Sequence, residues 1–174
     1  RVLADQDGSL EHRAFGTIVK NRVARGGILA PGAGVFKRGE NGRGLTSRWY
    51  PDTLRRRILA IAERKDEMTF IQGDGIEVLK ANAHRTDCSF FIDPPYTVAG
   101  RRLYKYSEID HEALFAIVSG LRGDFLMTYD NTDEISALAT RHGFATRLIA
   151  MKTTHHTAKR ELMIGRTLDW LPES

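Results

Sequence analysis

A single cysteine, Cys88, occurs among the 174 residues. An internal disulfide and a cysteine-based zinc site are therefore both excluded, and with them a secreted, disulfide-stapled fold. Cys88 reads as a small core or strand-edge residue. No apolar run approaches the roughly eighteen residues that a membrane-spanning helix needs, and the opening RVLADQDGSLEHR has no apolar region behind its first arginine. A soluble, cytoplasmic protein without a membrane partner is expected. No internal repeat or low-complexity tract is present. Acidic residues are scarce in one place: between Arg13 and Lys65 there are thirteen Lys/Arg against Glu40, Asp52 and Glu63, a local +10 in a chain of net +4. The remainder is therefore acidic, at −6. A basic segment on an acidic body suits a polyanion, since phosphate neutralisation dominates nonspecific nucleic-acid affinity; a solvated basic surface is the plainer alternative.

With 41% apolar residues the chain fits one compact domain, or one domain carrying a sizeable insertion. Leu10, Ala14, Phe15, Ile18 and Val19 fall at helical spacing, and predict a helix over Leu10–Val23 capped by Asp7 or Ser9. The following GGILAPGAGVFKRGENGRGLTSRWYP holds seven glycines and two prolines, which precludes continuous regular structure. It reads as a long loop or glycine-broken hairpin, a kind of segment that is usually functional. Pro51 then opens a second helix with Leu54, Ile58, Ile61 and Ala62 on its buried side. From Met68 onward, short apolar strands alternate with helical stretches, the pattern of an α/β domain with a largely parallel sheet. Strands are expected at Met68–Gln72, Ser89–Ile92, Asp124–Tyr129, Ala145–Ala150 and Glu161–Ile164. Helices are expected at Gly75–Asn82, Asp110–Leu121 and Asp133–His142. The chain thus divides into a helical, basic region over residues 1–66 and an α/β region over residues 67–174.

The most informative stretch is Ser89-Phe90-Phe91-Ile92-Asp93-Pro94-Pro95-Tyr96. Two prolines cannot continue a ladder, so a rigid turn follows a buried strand at its carboxyl end, the place where open α/β sheets bind ligands. Asp93 offers a carboxylate acceptor, the prolines leave carbonyls without competing amides, and Tyr96 supplies a flat face. These features suit a planar amine. An exocyclic NH2 conjugated to a heteroaromatic ring is poorly nucleophilic; Asp93 and the Pro94 carbonyl could each accept one N–H and so aim its lone pair at a methyl donor. Tyr96 could stack on the base and replace the stacking lost on leaving a duplex. A turn that merely contains two prolines is the alternative.

Asp93-Pro94-Pro95-Tyr96 after an apolar strand resembles motif IV of the amino-methyltransferases. The order of basic loop, Phe70-Ile71-Gln72-Gly73-Asp74 with a helix after it, and then Asp93-Pro94-Pro95-Tyr96 resembles the Dam-like (D12) class of DNA adenine-N6 methyltransferases. AFGTIVKNRVARGGILAPGAG and GLTSRWYP are similar to that family's helical and target-recognition region, and KRELMIG to its late strand. The resemblance implies a Rossmann-like methyltransferase sheet with a basic, loop-rich target-recognition insertion. It also implies S-adenosylmethionine as cofactor, double-stranded DNA as partner, and methyl transfer to the N6 amine of a flipped-out adenine, as in restriction-modification. By position, Asp93, Pro94, Pro95 and Tyr96 would form the catalytic pocket, with Asp93 also facing the cofactor. Asp74 would accept from the cofactor's adenine amine, or else be a plain helix cap. Arg22, Arg25, Lys37, Arg38, Arg43 and Arg48 are the DNA-contact candidates, mainly to phosphates. Phe36, Trp49 and Tyr50 would insert or stack, or serve as packing anchors, the reading we favour. His155 and His156 sit in a polar connection with no third ligand spaced nearby, and no metal is expected. Tyr129-Asp130-Asn131 ends a strand, where it either walls the cleft or caps the next helix.

The chain departs from this family in one respect. The Phe-x-Gly-x-Gly strand–turn–helix that cradles the cofactor, and the acid after it, are absent, and Gly32-Ala33-Gly34 does not join a strand to a helix. The expectation is a fragment, or an enzyme whose front part is a separate segment, with a sheet edge open to pairing. Two rivals stand beside DNA methylation: amine methylation on RNA or protein, and a non-catalytic or split DNA-binding fragment.

Overall fold

The computed structural model describes residues 8–29, 34–35, 44–97, 108–152 and 158–172. The chain divides into two compact units, Arg1–Ile71 and Gln72–Ser174. Lys37, Arg38, Arg43, Phe36, His155 and His156 lie outside the described residues.

The N-terminal unit holds α1 (Leu10–Val23) and α2 (Pro51–Glu63). Ser9 caps α1, its side chain accepting from the His12 amide at 3.2 Å, and Pro51 begins α2 where no amide is needed. Between them the glycines break the chain into short 3-10 turns, Arg25–Gly27 and Gly44–Arg48. A lone antiparallel bridge, Ala24 to Val35, is closed by Arg25 N donating to Gly34 O at 2.8 Å. The side of α2 expected to be buried is not: Ile58 is 48% and Ile61 56% exposed, and α2 has no buried residue. Amphipathic spacing makes a helix with one apolar face, but burial requires a facing element.

The C-terminal unit is a mixed α/β layer structure. Its helices are α3 (Gly75–Asn82), α4 (His111–Ser119) and α5 (Asp133–Arg141). Its strands are β1 (Ser89–Ile92), β2 (Asp124–Asp130), β3 (Ala145–Lys152) and β4 (Ala158–Gly165), in sheet order β1-β2-β4-β3. The expectation of a largely parallel sheet is corrected: β1 and β2 pair parallel across α4, whereas β2–β4 and β4–β3 are antiparallel. The connection between β3 and β4 is too short for a crossover, so the two form a hairpin, and β4 enters between β2 and β3. Met68–Gln72 is also not a strand. Among the described residues it has no ladder partner, and Phe70 is 90% exposed. Strand propensity is realised only against neighbours.

The register aligns Ile92, Met127 and Ile164 across three strands. All three belong to a single buried cluster with Leu79 of α3, Leu114, Phe115 and Val118 of α4, and Ile135 and Leu138 of α5. The alternate residues point to the opposite face, where Phe91 is 69% exposed. Each helix carries its own start signal: Asp74, Asp110 and Thr132 accept from the amides of Ile76, Ala113 and Ile135. Gly143, at φ +70°, closes α5 in the left-handed conformation. At the entry to the parallel pair, a side chain on Gly123 would overlap the Cys88 carbonyl oxygen. No described helix is long and apolar enough to cross a membrane.

Candidate functional site

β1 ends at Ile92, and Asp93-Pro94-Pro95-Tyr96-Thr97 leaves the sheet at its carboxyl end. Pro94 is buried, Pro95 and Tyr96 are half-buried, and Asp93 is exposed. Ile92 pairs with Met127, so one position further Asp93 comes level with Thr128 on the same face of the sheet. There the Thr128 hydroxyl donates to Asp93 Oδ1 at 2.7 Å. Thr128 is only 8% exposed, and a buried hydroxyl requires such a partner.

Two further contacts hold the turn. Asp130, at the end of β2, accepts from the Thr97 amide at 3.3 Å and from the Thr97 hydroxyl at 3.0 Å. It is thus an anchor of the turn, while Thr132 takes the helix-capping role. Tyr96 stacks on Tyr129 with ring centroids 6.4 Å apart and an interplanar angle of 27°. Burial, then the charges of Asp93 and Glu161 and a hydrogen bond with the Glu161 carboxylate, push the Tyr96 phenol above its ordinary value; a hydrogen bond with Thr128 acts the other way. Tyr129 is fully buried, with its hydroxyl 3.0 Å from His111 Nδ1. Its phenol is raised as well, by burial first and then by Asp130 and Glu134. Tyr96 therefore presents a neutral ring whose far edge is held by the sheet. Thr128, Asp130 and Glu161 share one face, since Asp130 pairs with Glu161 across the β2–β4 ladder.

Beside this turn lies a cleft of ≈ 820 Å³. Tyr96, Thr97, Glu108, Asp110, His111 and Glu134 are among its lining residues. Its carboxylates make it a poor neighbour for phosphate groups and a better one for a neutral ring or an amine.

Asp74, the other acid of the sequence reading, is exposed and caps α3, its Oδ1 accepting from Ile76 N at 2.9 Å. In the N-terminal unit, Arg48 donates to the Ala24 carbonyl at 2.8 Å, bracing the turn after α1. Arg22 is half-buried, its Nε without a hydrogen-bond partner, and Arg25 is exposed. Trp49 meets Phe15 edge to face at 6.3 Å, the packing role favoured by its sequence context. No group of three His, Cys, Asp or Glu among the described residues could hold a metal ion.

One oxygen of Asp74, Oδ1, is engaged in capping, and the space beside Gly75 is open. Sequence reasoning missed Thr128, Thr97 and Glu161. A hydroxyl within the apolar run Phe125-Leu126-Met127 and an acid inside Ala158–Gly165 were the available signals. Compared with known proteins, the chain matches no protein-family model and no curated protein.

Proposed function

We propose that the chain is the target-holding, catalytic part of a DNA adenine-N6 methyltransferase that uses S-adenosylmethionine. The observation that carries this reading is the Asp93 carboxylate, fixed by Thr128 at the carboxyl end of β1, with a buried proline after it and the Tyr96 ring on the same turn. Asp93 Oδ2 and the Pro94 carbonyl accept the two N–H groups of an exocyclic amine and so orient the nitrogen lone pair. A carboxylate there also stabilises the positive charge that grows on nitrogen as it becomes tetrahedral. Tyr96, kept neutral, stacks on the extruded base. The cofactor supplies a methyl group activated on a sulfonium. The Rossmann-like sheet, the basic target-recognition insertion and the cytoplasmic setting belong to the same proposal. DNA is chosen over RNA because of the family-like order of basic loop, acid and proline turn.

One observation favours a second reading, a target-holding fragment that binds DNA without cofactor: the capping role of Asp74. Calorimetric titration of S-adenosylmethionine into the folded chain, followed by methyl transfer to duplex DNA and to RNA, separates the two. Binding with transfer to duplex adenine, abolished in Asp93→Ala while DNA affinity persists, is expected. Equal loss of DNA binding and transfer in Asp93→Ala would reject the assigned role. Salt-sensitive DNA binding without cofactor binding would establish the second reading.

A further inference from the structure

We infer that Thr128 is a positioning residue for Asp93, reserving one carboxylate oxygen for the substrate amine. The inference rests on the amine-holding role proposed for Asp93, and adds that the role depends on a neighbouring strand.

Asp93 stands one residue past the last ladder pair, is exposed, and is followed by prolines that give it no amide neighbours. Left alone, its carboxylate would turn about its side-chain bonds. Thr128 has none of this freedom. It lies inside β2 between the buried Met127 and Tyr129, is 8% exposed, and is β-branched, so backbone and packing together set its hydroxyl direction. Thr128 also contacts the Tyr96 phenol, but its hydroxyl has one proton to give and lies 2.7 Å from Asp93 Oδ1; the deprotonated carboxylate can only accept, whereas the neutral phenol carries a proton of its own. Oδ1 is thereby engaged, and Oδ2 remains to accept an N–H from a ligand.

The consequence is geometric. A carboxylate with one oxygen tied to the sheet accepts a single N–H along one direction, and the second N–H of a primary amine is left for the Pro94 carbonyl. Displacing a reacting group by about 1 Å costs on the order of 100-fold in rate. Loss of the hydroxyl should therefore act on the chemical step more than on binding.

The test compares wild type with Thr128→Val, which keeps the shape and removes the donor, and Thr128→Ser, which keeps the donor. Side-chain couplings and the carboxyl carbon shift of Asp93, read by NMR on the full chain without ligand, report its orientation directly. A single Asp93 rotamer in wild type and Thr128→Ser, averaged in Thr128→Val, is expected. In methyl transfer to duplex DNA, Thr128→Val should lower kcat by about 10–100-fold with KM changed less than about threefold, and Thr128→Ser should restore most of the rate. If Thr128→Val does not fold, Thr128→Ser and Thr128→Ala, which differ by one hydroxyl, carry the same comparison. An unchanged Asp93 rotamer in the variant without the hydroxyl overturns the inference. So does reduced thermal stability with kcat intact. If wild type transfers no methyl group to any amine substrate, the functional proposal fails and the NMR comparison alone decides the positioning role.

Discussion

Replacing Gly123 with alanine should test how the parallel pair that carries the site is assembled. A Cβ at this position would overlap the Cys88 carbonyl oxygen and lie 3.1 Å from the Arg85 carbonyl oxygen. Both obstacles are backbone, so no side chain can swing aside. Relief requires β1 to draw away from β2 at the Ser89–Asp124 pair, where the ladder begins. Overpacking of this kind costs about 1–3 kcal/mol. For a unit the size of Gln72–Ser174, each kcal/mol lowers Tm by roughly 4–8 °C, so a drop of about 4–24 °C is expected. Thermal melts by circular dichroism and urea titrations would measure it, and amide exchange at Phe90–Ile92 would show whether β1 loosens first. Gly75→Ala is the matched control, because a Cβ there meets nothing within 4 Å. Stability of Gly123→Ala within about 0.5 kcal/mol of wild type, the ordinary range for neutral substitutions, would refute the argument that β1 and β2 meet through this glycine.

The buried Tyr129 phenol titrates above its ordinary value of 10.0, so the unfolded chain loses this proton first. The contribution is fully present below pH 10 and is lost as pH rises beyond it, by about 1.4 kcal/mol per pH unit. Urea unfolding between pH 8 and 11 should show this fall, shallower in Tyr129→Phe; identical slopes would contradict it. Arg48→Ala removes the brace on the Ala24 carbonyl and should cost the N-terminal unit about 1–3 kcal/mol, measured by denaturation. Arg25→Ala, at an exposed site, should leave stability within about 0.5 kcal/mol while weakening DNA binding and reducing its salt slope by about 1. Unchanged affinity and slope would remove Arg25 from the proposed interface.

Much of the local structure was legible from residue order alone. α1 spans Leu10–Val23 and β1 spans Ser89–Ile92, as the periodicity and the prolines predict. These features depend on a cap, a proline or an apolar repeat acting over a few residues. The location of Asp93 and Tyr96 at the carboxyl end of a strand followed for the same reason. Met68–Gln72 has the composition of a strand but no described neighbour to pair with, and Ile58 and Ile61 have the spacing of a buried face without its burial. The antiparallel insertion of β4 between β2 and β3 was equally hidden, because pairing partners are chosen by distant contacts. The sequence by itself determined the helices, the strand and the turn that present Asp93. Tertiary structure alone decided what holds its carboxylate: Thr128 lies 35 residues along the chain, and only the parallel register of β1 and β2 brings its hydroxyl within hydrogen-bonding distance.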